Sequence, residues 1–340
     1  MSMTKRERFL NFLENKPVDR VPVAFFRHFT TVDEWFRGLE SEEIFTKNIE
    51  GHRESLKNFD PDIIKIMNDS LMFMPVDTSF VEKPSDLRKI QPPVYGSPWF
   101  EKSRELTNRV LDIYNQPDTP SFATGFAPFH LLRTSLSGLL GAVVPDGKPK
   151  MVEFLEEDPD SVVEAFKIMG ESIKELNTML VKECGVDGMY FSVNNRAHYI
   201  PDDLYAKYIT PTELEVIAHA NTLSPMNILH ICGNHGQANN LDLFKDYQVP
   251  VINWAVHAEN MPLSEGKKLF GGKPIMGGFD QKGVLYTGTR EEIEAATFKI
   301  LDEVGQVGLM LGADCTVPLD IDERHLEWVR QAAIKYAETH

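Results

Sequence analysis

Across 340 residues, 51 acidic side chains outnumber 35 basic ones, and a formal charge of −16 has the wrong sign for a surface that must neutralise phosphates or anionic lipid. Nucleic-acid and membrane partners are thereby excluded from the expectation, and no apolar run approaches the roughly 18 residues that a bilayer span needs. Three cysteines cannot pair completely, and the opening Thr4-Lys5-Arg6-Glu7 leads into a charged amphipathic stretch instead of an apolar leader, so reduced thiols in the cytoplasm are expected.

Behind that N-terminal helical extension, short β-rich runs closed by polar or turn-forming residues fall at Val21–Phe26, Ile63–Met67, Ser121–Phe126, Gly188–Val193, Asn227–Ile231, Pro250–Trp254, Pro274–Gly278 and Gly308–Gly312. Helical patterns alternate with them, over Ser161–Cys184, Thr212–Thr222, Asp242–Tyr247, Thr289–Val304 and Ile321–Glu338, several behind Ser, Thr or Asp caps. Apolar strands alternating with helices predict a covered parallel sheet. With eight such units and no Gly-x-Gly-x-x-Gly turn after the first, a (β/α)8 TIM barrel is expected over an open doubly wound sheet, as one domain spanning 1–340. Two long stretches break the rhythm after strands 2 and 3, Asp69–Pro120 and Ala127–Lys150; insertions of this kind cover or shape a site.

Chemistry in such a barrel collects where the strands end at their carboxyl face. In chain order these ends carry Arg27 and His28, then Asp69, Asn194 and Asn195, His230 and Cys232, Asn253-Trp254 with His257 beyond, Asp280, and Cys315. Asp69 and Asp280 are the candidate catalytic carboxylates, although each could equally cap the next helix. Asp280 is also a candidate partner for a metal-bound histidine. Arg27 and His28 suit a substrate carboxylate, or a structural acid. Asn194, Asn195, Trp254 and His257 are candidate substrate-binding residues, against the ordinary roles of asparagine in turns and tryptophan in cores. His235 reads as a solvated loop residue and Cys184 as an inert buried thiol.

His230 and Cys232 stand two apart at one strand end, so both side chains point to the same side, as a chelating pair requires. Cys315 joins them only if strand ends lean inward across the mouth. One imidazole and two thiolates suit Zn2+ and leave a fourth position open, although isolated cysteines are commonly small buried hydrophobes. A site neutralised by two thiolates is a poor Lewis acid for hydrolysis and better suited to a substrate thiol, which predicts methyl or alkyl transfer to sulfur.

The segments Thr4–Phe9 and Pro17–Val23, and Gly277-Gly278-Phe279-Asp280 with Gly288-Thr289, resemble the uroporphyrinogen decarboxylase-like superfamily over nearly the whole chain. His230-Ile231-Cys232-Gly233-Asn234 with Gly312-Ala313-Asp314-Cys315 is similar to the zinc motif of its methyltransferase branch, at all three ligands. The resemblance implies a methyltransferase with zinc on His230, Cys232 and Cys315. A methylcobalamin or corrinoid protein is then the methyl donor, a small-molecule thiol or other carrier the acceptor, and a homodimer the assembly. The decarboxylase branch is matched at Arg27 and Asp69, but its second arginine is lacking in Phe25–Thr30, Thr134 stands near the place of its tyrosine, and its late histidine is replaced within Gly312–Asp314. A uroporphyrinogen decarboxylase-type carboxy-lyase and a non-catalytic relative that binds a tetrapyrrole or corrinoid are the alternatives.

Overall fold

A computed structural model describes residues 2–137, 149–195, 199–233 and 236–340. Its sheet holds seven parallel strands in sequential order: β1 (Ile64–Ile66), β2 (Ser121–Phe126), β3 (Gly188–Val193), β4 (Ile228–Ile231), β5 (Val251–Trp254), β6 (Ile275–Phe279) and β7 (Leu309–Ala313). Strictly consecutive neighbours, each joined by a helical crossover, curl the sheet toward a TIM-like barrel. The strands are buried almost throughout, which is why they read as continuous apolar runs without polar alternation.

The expected first strand, Val21–Phe26, is not one. It runs extended between the two sheet edges and bridges Leu311 through Val23 and Val317 through Arg27. Pro22 has no N–H to give, and the Val23 N–H donates to the Asp62 carboxylate (2.8 Å) where a ladder would use a carbonyl. Fully buried Asp62 also accepts from Arg8 (2.7 Å) and from both Arg20 nitrogens (2.6 and 2.9 Å). A side-chain clamp thus replaces the backbone ladder on the β1 side, leaving one return bond from Asp62 N–H to the Val23 carbonyl (2.9 Å).

The helices match their sequence signals closely. Pro159–Thr178 starts on the Asp158 cap and continues through a π turn at Met179–Glu183; Thr210–Leu223, Arg290–Val304 behind the Thr289–Glu292 capping box, and Arg324–Thr339 follow. The stretch expected as a helix at Asp242–Tyr247 forms only a 3-10 turn, Leu241–Phe244, too short to nucleate an α-helix. The long stretch after β1 contains two 3-10 turns and the helix Pro98–Tyr114. After β2 comes the helix Pro128–Ser137, and residues 138–148 of the expected insertion lie outside the described residues. Among the described residues no helix is long and apolar enough to cross a membrane.

The core has two parts. One lies between sheet and helices. The other fills the pore with Ile63, Phe122, Tyr190, Ile228, Val251, Met276 and Met310, and the helix Lys5–Leu13 adds Phe9 and Phe12, Phe9 edge-on to Phe122 at 5.4 Å. Because Ile63, Phe122, Ile228 and Val251 stand at the starts of their strands, this plug seals the amino end of the pore. Beyond the plug, toward the carboxyl end, the inward positions turn polar at His230 and Asn253.

Candidate metal centre

On β4 the period of two that turns Ile228 into the pore turns His230 and Cys232 there as well. Cys232 extends the ladder one residue further, its N–H donating to the Val193 carbonyl (2.8 Å), and Asp314 does the same for β7 by donating to Phe279 (2.9 Å). The strand ends do lean inward. The Cys232 and Cys315 sulfurs are 4.0 Å apart with no disulfide between them, and the candidate ligand atoms of His230, Cys232 and Cys315 lie within 4.8 Å of one another. An imidazole and two thiols converging at that distance could hold a soft divalent metal ion.

Hydrogen bonds around the trio hold it in that arrangement. Asn253, nearly fully buried on β5 opposite His230, donates its Nδ2 to the carbonyls of Met276 (2.9 Å) and Ala313 (3.3 Å). Its Oδ1 is thereby aimed at His230 Nδ1 (2.5 Å) and the Tyr190 hydroxyl (3.0 Å). With Nδ1 engaged by Asn253, Nε2 is the His230 nitrogen left to face a metal. On the other side Asn239 donates to the Cys232 carbonyl (3.1 Å) and is itself gripped by Glu259. The Cys315 thiol is held well below its ordinary range, first by its hydrogen bond with Cys232 and then, against burial, by His230. A thiol poised as thiolate is the form that binds metal.

Cys315 forms part of the wall of an open cleft of about 660 Å³, lined also by His28, His257, Asp280 and Asp314. His257 is half-exposed; the Asp314 carboxylate accepts from its N–H (2.8 Å) and its Nδ1 (2.9 Å) and raises the imidazole pKa. That grip ties the segment after β5 to the residue before Cys315. Asp280 lines the cleft while its Oδ1 caps the Lys282 N–H (2.8 Å).

The remaining sequence candidates sit elsewhere. Asp69 is fully buried and turned onto the segment after Arg27, where it accepts from Phe29 N–H (2.5 Å), Thr30 N–H (3.3 Å) and the His28 ring (2.9 Å), so it orients His28 and does not itself line the cleft. Arg27 pairs with Glu323 (2.9 Å) and donates to the Leu319 carbonyl (2.9 Å). Asn194 accepts from Arg133 (2.9 Å). Asn195 is locked to Asn239 and Asn240 (both 2.9 Å), within the network that holds the Cys232 carbonyl. Trp254 is wholly buried in the outer core and donates to the Met261 carbonyl (3.0 Å), away from the cleft. Asn234 and His235 lie outside the described residues.

Sequence reasoning does not single out Asn253, Asp314 or Lys65 as site candidates. A signal existed for two of them: Ile63-Ile64-Lys65-Ile66-Met67 and Val251-Ile252-Asn253-Trp254 each contain a single polar residue inside an otherwise apolar strand.

Compared with known proteins, residues 73–336 match the family model described as Uroporphyrinogen decarboxylase (URO-D). A methyltransferase from Methanosarcina mazei superposes with a TM-score of 0.71 at 15% identity, over 98% of this chain and 99% of that one. A B12-independent methionine synthase from Shewanella sp. W3-18-1, in complex with selenomethionine, superposes with a TM-score of 0.54 at 17% identity, over 94% and 96%. At these identities the likeness is one of fold. No curated protein matches the sequence.

Proposed function

The chain belongs to the uroporphyrinogen decarboxylase (URO-D) family, and from that premise we propose that it is a zinc-dependent methyltransferase that moves a methyl group from a corrinoid, free or protein-borne, to a thiol or other carrier. The observation that carries the reading is the convergence of His230, Cys232 and Cys315 within 4.8 Å, with His230 Nδ1 engaged by Asn253. Bound there, zinc would supply a soft, formally neutral site that lowers the pKa of an acceptor thiol and keeps it nucleophilic.

The chain's own residues would do the rest. The sealed amino end of the pore confines access to the carboxyl end, where the cleft beside Cys315 admits the acceptor. Asp314 Oδ1 is buried and has no hydrogen-bond partner among the described residues, so it is available to an N–H or O–H of the substrate. Asp280 and the protonated form of His257 offer opposite charges across the same cleft, and His28 offers a ring nitrogen held in place by Asp69. The methyl donor would approach over the open side of the cleft, in line with the acceptor sulfur.

Decarboxylation of a polycarboxylate is less well supported, because it needs several free cations and Arg27 is engaged by Glu323. Elemental analysis of untagged wild type and Cys232→Ser tests the reading, followed by methylcobalamin with a panel of thiols. One zinc per chain in the wild type alone, with demethylation of the corrinoid, supports it; no zinc in either protein after reconstitution under reducing conditions rejects it in favour of a metal-independent or binding role.

A further inference from the structure

Lys65 is the one position in β1 whose presence an apolar pore does not explain. It lies between buried Ile64 and Ile66, with intermediate exposure itself, and its ammonium sits over the ring of Tyr190 (4.4 Å to the centroid) and beside that of Phe26 (5.4 Å), both in the inner cluster. Tyr190 in turn donates to Asn253 and lies 5.8 Å, ring to ring, from His230. Lys65 therefore lies under the metal centre, one aromatic ring away from it. Among the described residues it has no ion pair. The acidic groups that act on it are Cys315, Asp69 and Cys232, with the Tyr190 phenol kept neutral by burial, and the Asp69 oxygens are already taken by His28 and two backbone N–H groups. Burial lowers the lysine pKa to about 8, a fall opposed by Cys315, Asp69 and Cys232. An ammonium held against ring faces with only partial access to water gains when an anion joins it.

We propose that Lys65 is a positioning residue that supplies the counter-charge for the loaded centre, favouring the acceptor as a thiolate. The inference rests on the thiol-acceptor reading above. Zinc with two cysteine thiolates and a neutral histidine is formally uncharged, so an acceptor that arrives as a thiol must break its S–H bond, keep the electron pair on sulfur and release the proton to solvent. The centre then carries one negative charge, one aromatic ring away from an ammonium that has no ion pair among the described residues.

The test uses cobalt-substituted protein and 2-mercaptoethanol as the probe, following the thiol-induced charge-transfer band against pH in wild type, Lys65→Met, Lys65→Gln and Lys65→Arg. Removing the charge is expected to move the half-saturation point up by about one pH unit, or about tenfold weaker thiol binding near neutrality, with cobalt stoichiometry unchanged. Lys65→Arg should stay near wild type. Either neutral variant suffices, so one that fails to fold does not remove the test. A folded neutral variant with full cobalt and the wild-type midpoint overturns the role of Lys65 while leaving the metal centre standing; wild-type protein that takes up no cobalt overturns both.

Discussion

Replacing Asn253 by alanine separates the metal centre from the fold that carries it. The side chain makes four hydrogen bonds, to His230, Tyr190, Met276 and Ala313, in a nearly fully buried place. Orphaned buried groups cost about 1–3 kcal/mol each, and water entering the vacated space relieves part of that, so a net loss of about 3–4 kcal/mol is expected for the metal-free protein. The metal pays separately: removing the partner that orients a ligating histidine typically lowers affinity about 10–100-fold, or about 1.4–2.7 kcal/mol. Asn253→Asp divides the two effects. Its carboxylate still accepts from His230 Nδ1 but cannot donate to the Met276 and Ala313 carbonyls, so stability should fall while zinc affinity holds. Thermal unfolding of metal-free protein and zinc competition against a chromophoric chelator read the two quantities independently. An alanine variant that is folded and keeps wild-type zinc affinity, or an aspartate variant that loses as much affinity as alanine, would refute the reasoning.

Four further outcomes are expected. Cys315→Ser should lose zinc and methyl transfer yet melt, metal-free, within about 1 kcal/mol of the wild type, since the change is nearly isosteric; retained turnover in that variant ends the methyltransferase reading. Asp62→Ala strips Arg8, Arg20 and the Val23 N–H of their shared buried acceptor, and a loss of about 3–5 kcal/mol in denaturant titration is expected; a change under 1 kcal/mol means the clamp does not hold the Val21–Arg27 segment. Glu213, fully buried and hydrogen-bonded by Tyr205 and Tyr247, has its pKa pushed from 4.5 to about 7 by burial. A carboxyl raised in the folded state costs nothing below its ordinary pKa and destabilises as pH climbs through the folded value, so Glu213→Gln should gain on the wild type between pH 5 and 8, by roughly 3 kcal/mol at most; a pH-independent difference in melting rules this out. Asp314→Asn should lower the His257 pKa toward that of a free imidazole in an NMR titration, and an unchanged value shows that the pair is not what raises it.

Much of this protein was legible in the chain because the information is local. Seven parallel strands announced themselves as apolar runs between turn residues, and the shared face of His230 and Cys232 follows from a period of two on one strand. Capping at Asp158 and at Thr289 with Glu292 set helix starts within two residues of their sequence signals. Whatever depended on a partner distant in sequence stayed hidden. Val21–Phe26 has the composition of a strand, yet the Asp62 clamp takes the place of a ladder on its β1 side. Asp69 and Asn195 carry the right groups at the right strand ends, but their hydrogen bonds are spent on Phe29, Thr30 and His28 for the one and on Asn240 and Asp202 for the other. Asn253 is one strand-end amide among several in the sequence, and only the β4–β5 register sets it opposite His230. Residue type and period determine which groups a strand offers to the pore; cross-strand register and competition for buried hydrogen bonds decide which of them meet, because those free energies exist only once the sheet has curled.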